Sequence, residues 1–392
     1  MFYEIGRITL IFASNEMTMK RSAYFLIILC LLILSCQKAK DATVRSKINE
    51  VEYAEGFEIE RYDDFTIVRI TKPWPDASQI YTYVCASDSS VVPDSLKQNF
   101  IKVPVETIVV TSTTHVSSLV TLGLEEHLIG FPHLNYISSP EVRRLIDDGK
   151  VQEISDQQNL NFEKTLDLQP DVIIGLSMDS ETSRFNQFVN AGIPVLYNAD
   201  WVETTPLGKA EWIKFFGVLF DRQMEAKWFF DEIVLEYTKA KELVRDVHTY
   251  PKVLSGSIFQ DVWYAPQGES WMASFITAAK GDYVWKDTKG TGSLSLSLEA
   301  ALEHGSSADV WIGPGQFTTY KELESANKHY REFKAFQKRE VYSYSIKKGE
   351  SGGIIFYEDA QNRPDLVLKD LIYSLHPEVL PDYEPVFIEV LK

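Results

Sequence analysis

Two stretches far apart in the chain carry the same order of residues, and this repetition limits the fold more than any other feature. In residues 159–176 a short helix-forming run containing Glu163 is followed by Asp171 and the apolar Val172, Ile173 and Ile174. In residues 297–313 Glu299 opens a similar run, and Asp309 precedes Val310, Trp311 and Ile312. Each half-unit sets a carboxylate at a helix start and then enters a buried strand, because an unbroken apolar run suits a strand covered on both faces. Two such half-units predict two similar lobes, each presenting one glutamate on an outer loop or helix end. That is the plan of a two-lobed binder with two docking points.

The N-terminus bears on the compartment. Lys20 and Arg21 precede an apolar run over residues 23–34, and Ser35-Cys36 follows. This order of basic region, apolar region and cysteine resembles a bacterial lipoprotein signal. The run is well short of the roughly 20 residues that a bilayer span needs. With Cys36 lipidated, the mature chain is tethered to a membrane and lies outside the cytoplasm, in the periplasm, with the choice of membrane open. Residues 1–36 are then the signal with the lipidated cysteine at its end, and 37–50 a polar tether; Met1, Met17 and Met19 are all available as starts.

The remainder reads as a soluble body. The whole chain of 392 residues, 45% of them hydrophobic and 12% aromatic, suits two domains with substantial cores once the signal is removed. A net charge of −17 argues against nucleic acid as a partner, since phosphate binding needs a basic surface. Of three cysteines, Cys30 and Cys36 belong to the signal, so Cys85 stands alone and is expected to be a buried strand residue. No disulfide framework or cysteine-based metal site can be built from it.

Alternation of apolar and polar residues in 57–62 and 65–70, across Asp63-Asp64, predicts a hairpin within a small β extension, residues 51–104. A βαβ series follows in an N-terminal α/β lobe, residues 105–206, with strands at 107–111, 127–131, 171–176 and 193–197 and a helix at 116–122. Apolar strands alternating with helices indicate a mostly parallel sheet, with ligands outside the strands' carboxyl ends. Linking helices occupy 207–250: one starts at Pro206, and a long one covers 222–247 with Phe229, Ile233, Tyr237, Ala240, Val244 and Val247 on its core face. The C-terminal α/β lobe, residues 251–392, is expected to hold strands at 253–258, 310–313 and 340–344 and helices at 271–279 and 364–375.

Taken together, these features resemble a class III periplasmic substrate-binding protein of an ABC importer, the group that binds ferric siderophores, haem and cobalamin, and especially the lipoprotein versions of the Bacteroidetes. The resemblance runs from about residue 107 to the C-terminus. It implies an α/β fold of two Rossmann-like lobes bridged by a single long rigid helix, here with the β extension added. It implies a monomeric carrier that needs no cofactor, clamps an iron complex, haem or cobalamin between its lobes, and delivers it to the permease and its ATPase. In that family one glutamate per lobe docks into arginine pockets on the permease through charge-assisted bonds, and those positions fall on Glu163 and Glu299.

The resemblance also nominates cleft residues. The loop containing Thr113, Thr114 and His115 is where the family begins its pocket, and helix-terminal amides there suit an anionic group. Tyr136 has a similar position after the second strand, and Trp201 and Glu203 lie near the lobe junction. Trp263, Tyr264, Trp271 and Phe317 are the aromatic candidates of the second lobe, and Arg363 is the cleft-edge arginine. Aromatic walls suit a flat ring such as a corrin or porphyrin, although such residues fill cores as readily as pockets. His115 and His133 are the candidates for metal ligation. A zinc- or manganese-binding protein of a metal importer is one rival, but it needs three or more His, Asp or Glu ligands, and the other histidines show no such spacing. A surface lipoprotein that scavenges ligand without a permease is another. No hydrolase elbow, zinc-protease helix motif or nucleotide-binding loop is present, so the chain reads as a carrier and not as an enzyme.

Overall fold

The computed structural model describes residues 49–75, 77–156, 159–175 and 183–392. The signal-like segment with Cys36, and the tether as far as residue 48, lie outside the described residues. In the extension, Phe57–Arg61 (β1) and Thr66–Ile70 (β2) form the expected hairpin, with Ile59 opposite Val68. Tyr81–Ala86 (β3) and Phe100–Lys102 (β4) complete a sheet in the order β1-β2-β3-β4. Alternation along the strands sends Phe57, Ile59, Val68, Ile70 and Cys85 to one face, where they share a core with Trp212 and Phe215. Burial pushes the Cys85 thiol up to about 12, so it is a packing residue.

The N-terminal lobe follows. Its chain order is Ile108–Val110 (β5), Thr113–Thr121 (α1), Leu128–Phe131 (β6), Pro140–Asp147 (α2), Gln152–Glu153 (β7), Phe162–Asp167 (α3), Val172–Gly175 (β8) and Val195–Tyr197 (β9). The sheet order is β9-β8-β5-β6-β7 and every pairing is parallel. The central strands β5 and β8 are buried throughout, as their unbroken apolar sequence requires.

The helix expected from Pro206 is two helices, Pro206–Glu211 (α4) and Ile213–Leu219 (α5). They part at Trp212, whose N–H bonds Lys209 O in a tighter i→i−3 turn and whose ring packs on Phe57 at 4.3 Å. The long helix is shorter than expected: Gln223–Leu243 (α6) has 21 residues and spans about 31 Å. Its buried face is Ala226, Phe230, Ile233, Tyr237 and Ala240, so Phe230 replaces Phe229 there and Val247 lies beyond the helix end. The α6 helix packs against α5 on one side and against the last helix of the C-terminal lobe on the other.

In the C-terminal lobe the strand expected over residues 253–258 divides. Gly256, at φ +104° and with Tyr264 O where a Cβ would stand, ends Lys252–Ser255 (β10) and turns the chain into Ser257–Phe259 (β11). Then come Val262–Pro266 (β12), Trp271–Ala278 (α7), Asp282–Tyr283 (β13), Ser293–Leu296 (β14), Leu298–Gly305 (α8), Val310–Ile312 (β15), Val341–Ser343 (β16), Ile355–Asp359 (α9), Pro364–Leu375 (α10) and Glu389–Val390 (β17). The main sheet runs β13-β10-β15-β16-β17, parallel except for its last pair, and β11-β12-β14 form a separate antiparallel sheet. The two half-units therefore hold matching places: α3 leads into β8 between β9 and β5, and α8 leads into β15 between β10 and β16.

Candidate functional site

Between the lobes lies a cavity of about 880 Å³. On one side stand residues 201–204, Lys209 of α4, and Glu55, Gly56, Lys72 and Pro75 of the extension. The C-terminal lobe supplies the other side through the ends of β10 and β12, the start of α7, and the aromatic rings of Tyr344, Phe356 and Tyr357. Of the residues nominated from sequence, Trp201, Glu203, Tyr264 and Trp271 line this cavity.

Two buried carboxylates build the first side. Glu203 accepts the N–H groups of Glu55 at 3.0 Å and Gly56 at 2.7 Å, and the Trp212 indole N–H at 3.1 Å. Burial pushes its carboxyl above the ordinary range, and those donors oppose the shift. Two backbone N–H groups and the Trp212 indole occupy its oxygens, so Glu203 positions the wall. Glu211 accepts the N–H groups of Glu52, Tyr53 and Ala54 at 2.7–2.8 Å and pairs with Lys214 at 2.6 Å. Lys209, which sequence reasoning missed, is buried, donates to Asp200 O at 2.9 Å and lies 5.6 Å from the Trp271 ring. Burial lowers its ammonium to about 8, against the pull of Asp200 and Glu203.

The second side is aromatic. Tyr344 stacks on Phe356 at 4.7 Å, and Trp271 meets Phe356 at 6.0 Å. The Trp271 indole N–H is buried and has no acceptor among the described residues. Tyr344 lies just past the carboxyl end of β16, the position where parallel sheets bind ligands, and that rule is the signal in the sequence that points to it.

Other nominated residues lie elsewhere. Trp263 is fully buried, stacked on Trp311 at 5.4 Å with its indole donating to Ser255 O, because alternation along β12 turns it inward and Tyr264 outward. Phe317 packs against the C-terminal lobe core, outside the cavity lining. Arg363 forms a two-pronged pair with Asp365 at the start of α10, at 3.0 and 2.9 Å. Thr113, Thr114 and Tyr136 belong to a stretch of the lobe seam that the segment 349–362 covers. There Thr113 Oγ1 donates to Tyr357 O at 3.2 Å, Thr114 Oγ1 to Asp200 Oδ2 at 2.8 Å, and Gln361 Nε2 to the same oxygen at 2.7 Å. Ser117 Oγ donates to Asp359 at 2.7 Å, and the N–H groups of Ser138 and Ser139, at the start of α2, donate to Glu358 at 2.5 and 3.1 Å. Tyr136 is outside the cavity, with an exposed ring lying 5.4 Å from that of His133.

Neither candidate histidine lines the cavity. His115 is fully buried on the inner face of α1, 5.8 Å from the Phe216 ring and 4.0 Å from Asp200 Oδ2. Burial lowers it to about 4, against the raising effect of Asp200, and leaves the imidazole no path to a ligand in the cavity. His133 contacts Ser155 Oγ at 3.2 Å. Among the described residues no three His, Cys, Asp or Glu side chains gather into a group able to hold a metal ion.

Glu163 and Glu299 are both exposed in the first turns of α3 and α8, where Asn161 and Ser297 cap the helices. At Glu299 the helix-start amide and the Ser297 hydroxyl hold the carboxyl below its ordinary value.

Two parallel-sheet lobes joined by a long helix around an aromatic cavity define a two-lobed solute-binding protein. The chain belongs to the periplasmic binding protein family, whose model matches residues 108–346. The class III resemblance read from the sequence is thereby borne out, and members of this family bind solutes and do not catalyse reactions. An uncharacterized lipoprotein of Methanocaldococcus jannaschii is 26% identical over 299 residues, 73% of this chain and 69% of that protein. A periplasmic binding protein from Veillonella parvula shares the fold at a TM-score of 0.58 and 13% identity, over 82% of this chain and 98% of that one. A periplasmic heme binding protein from Pseudomonas aeruginosa does so at 0.56 and 14% identity, over 74% and 98% respectively.

Proposed function

We propose that the chain is the substrate-binding lipoprotein of an ABC importer. It captures an iron complex, either a ferric siderophore or haem, or else cobalamin, in the cavity between its lobes, and Glu163 and Glu299 align that cavity over the permease. The observation that carries this reading is the pairing of one aromatic-walled cavity with two exposed glutamates at matching helix starts, one per lobe. A cavity of about 880 Å³ suits a large ligand held through buried apolar area and a few polar anchors. The heme-binding neighbour supports the ligand class. Lipidated Cys36 keeps the carrier at the membrane. No metal-holding group gathers among the described residues, which favours a complexed ligand over a bare zinc or manganese ion.

Uptake measured beside affinity tests the reading. The Glu163→Ala/Glu299→Ala double variant is expected to bind ligand like the wild type while uptake collapses. Loss of affinity contradicts the docking role, and normal uptake favours a scavenger that works without a permease.

A further inference from the structure

The β extension precedes the residues that match the family, yet Glu55, Gly56, Lys72 and Pro75 line the cavity. Both ends of this wall are anchored. Gly56 donates to Glu203, and a Cβ there would come within 2.9 Å of Glu203 Oε1 and 3.1 Å of the Trp212 ring, so a larger residue would have to push this carboxylate aside. Next to Pro75, Trp74 is buried edge-on to Tyr81 and Tyr197 at 6.1 and 6.4 Å.

The charges divide by side. Glu55, Lys72, Glu203 and Lys209 all belong to the side formed by the extension and the linker, while the C-terminal lobe lines the cavity with neutral residues. Glu203 is committed to three N–H donors, and Lys209 to Asp200 O. Lys72 is different: its side chain is 51% exposed and is paired, at 2.5 Å, with Glu55, itself 70% exposed. An exposed pair of this kind contributes little and exchanges partners readily. The Lys72 ammonium suits a ligand that brings an oxygen acceptor.

We infer that the β extension is a third wall of the binding site and that Lys72 is a specificity-determining residue, leaving Glu55 to pair with an oxyanion on the rim of a planar or macrocyclic ligand. This rests on the carrier reading above.

The test titrates the wild type, Lys72→Met and Lys72→Glu with haemin, cyanocobalamin, a ferric catecholate and a neutral ferric hydroxamate. The tightest wild-type probe is expected to be one of the anionic ones, weakened about tenfold by Lys72→Met and further by Lys72→Glu, in line with loss of one charge-assisted bond. A neutral tightest probe, or an anionic one bound equally by all three proteins, overturns this inference and leaves the carrier reading standing. Binding of no probe by the wild type overturns the carrier reading and this inference with it.

Discussion

The seam between the lobes has two ends built on opposite principles. At the α1–α9 end, hydroxyl, amide and carboxylate groups of the two lobes satisfy one another, through Ser117 with Asp359, Ser138 and Ser139 with Glu358, and Gln361 with Asp200. At the cavity end Glu203 and Lys209 bond within their own side, and the C-terminal lobe presents the aromatic faces of Trp271, Tyr344 and Phe356. Polar pairs that cross from lobe to lobe hold the lobes together at one end, whereas aromatic faces at the other leave room for a guest. Asp200 ties the ends together, since its carboxylate faces Thr114 and Gln361 and its carbonyl accepts Lys209.

The largest effect is expected at the anchor of the open end. Glu211→Ala strips three backbone N–H groups of their acceptor and leaves the buried Lys214 ammonium without its carboxylate, with Glu50 O as its remaining acceptor. Breaking a buried pair in this way costs about 3–5 kcal/mol, measurable by urea unfolding. A loss under about 1 kcal/mol would mean that the extension is held elsewhere.

A smaller, pH-dependent effect is expected at the sealed end. Burial pushes the Glu358 carboxyl up to about 7 from an ordinary 4.5, outweighing its two N–H donors. The folded state therefore binds this proton more tightly than the unfolded state. The group's stabilisation is full below about pH 4.5 and is lost as pH rises through about 7. Asp359, also raised by burial, adds to the same trend. Unfolding free energy should fall across this window by at most about 1.4 kcal/mol per pH unit for Glu358, and Glu358→Gln should flatten the slope. An unchanged slope would remove Glu358 from the account. The smallest effect belongs to Tyr136→Ala: its exposed ring should change stability by no more than about 0.5 kcal/mol and leave ligand affinity unaltered.

Local pattern made the lobes legible. The half-units around Glu163 and Glu299, the hairpin of the extension and the helix Pro364–Leu375 follow from periodicity over a few residues. The same periodicity explains two misplacements after the fact: His115 shares the inner face of α1 with Val116 and Leu119, and Trp263 alternates inward beside Tyr264. The strand break at Gly256 depends on a positive φ and a close backbone approach, which one glycine in a sequence does not announce. The seam and the cavity wall were hidden for another reason. Glu358 meets Ser138 across 220 positions, and Glu211 meets Tyr53 across 158, so these contacts exist only once the lobes have folded.

The most direct measurement is a binding titration, by absorbance and mass spectrometry, of the wild type and Trp271→Ala with haemin, cyanocobalamin and a panel of ferric siderophores. One equivalent of a single ligand should bind the wild type. Loss of the indole wall should weaken it by roughly 1.5–3 kcal/mol, about tenfold to a hundredfold. Wild-type affinity in Trp271→Ala, with binding abolished by Thr113→Ala at the sealed end, would contradict the account by moving the site to the other end of the seam.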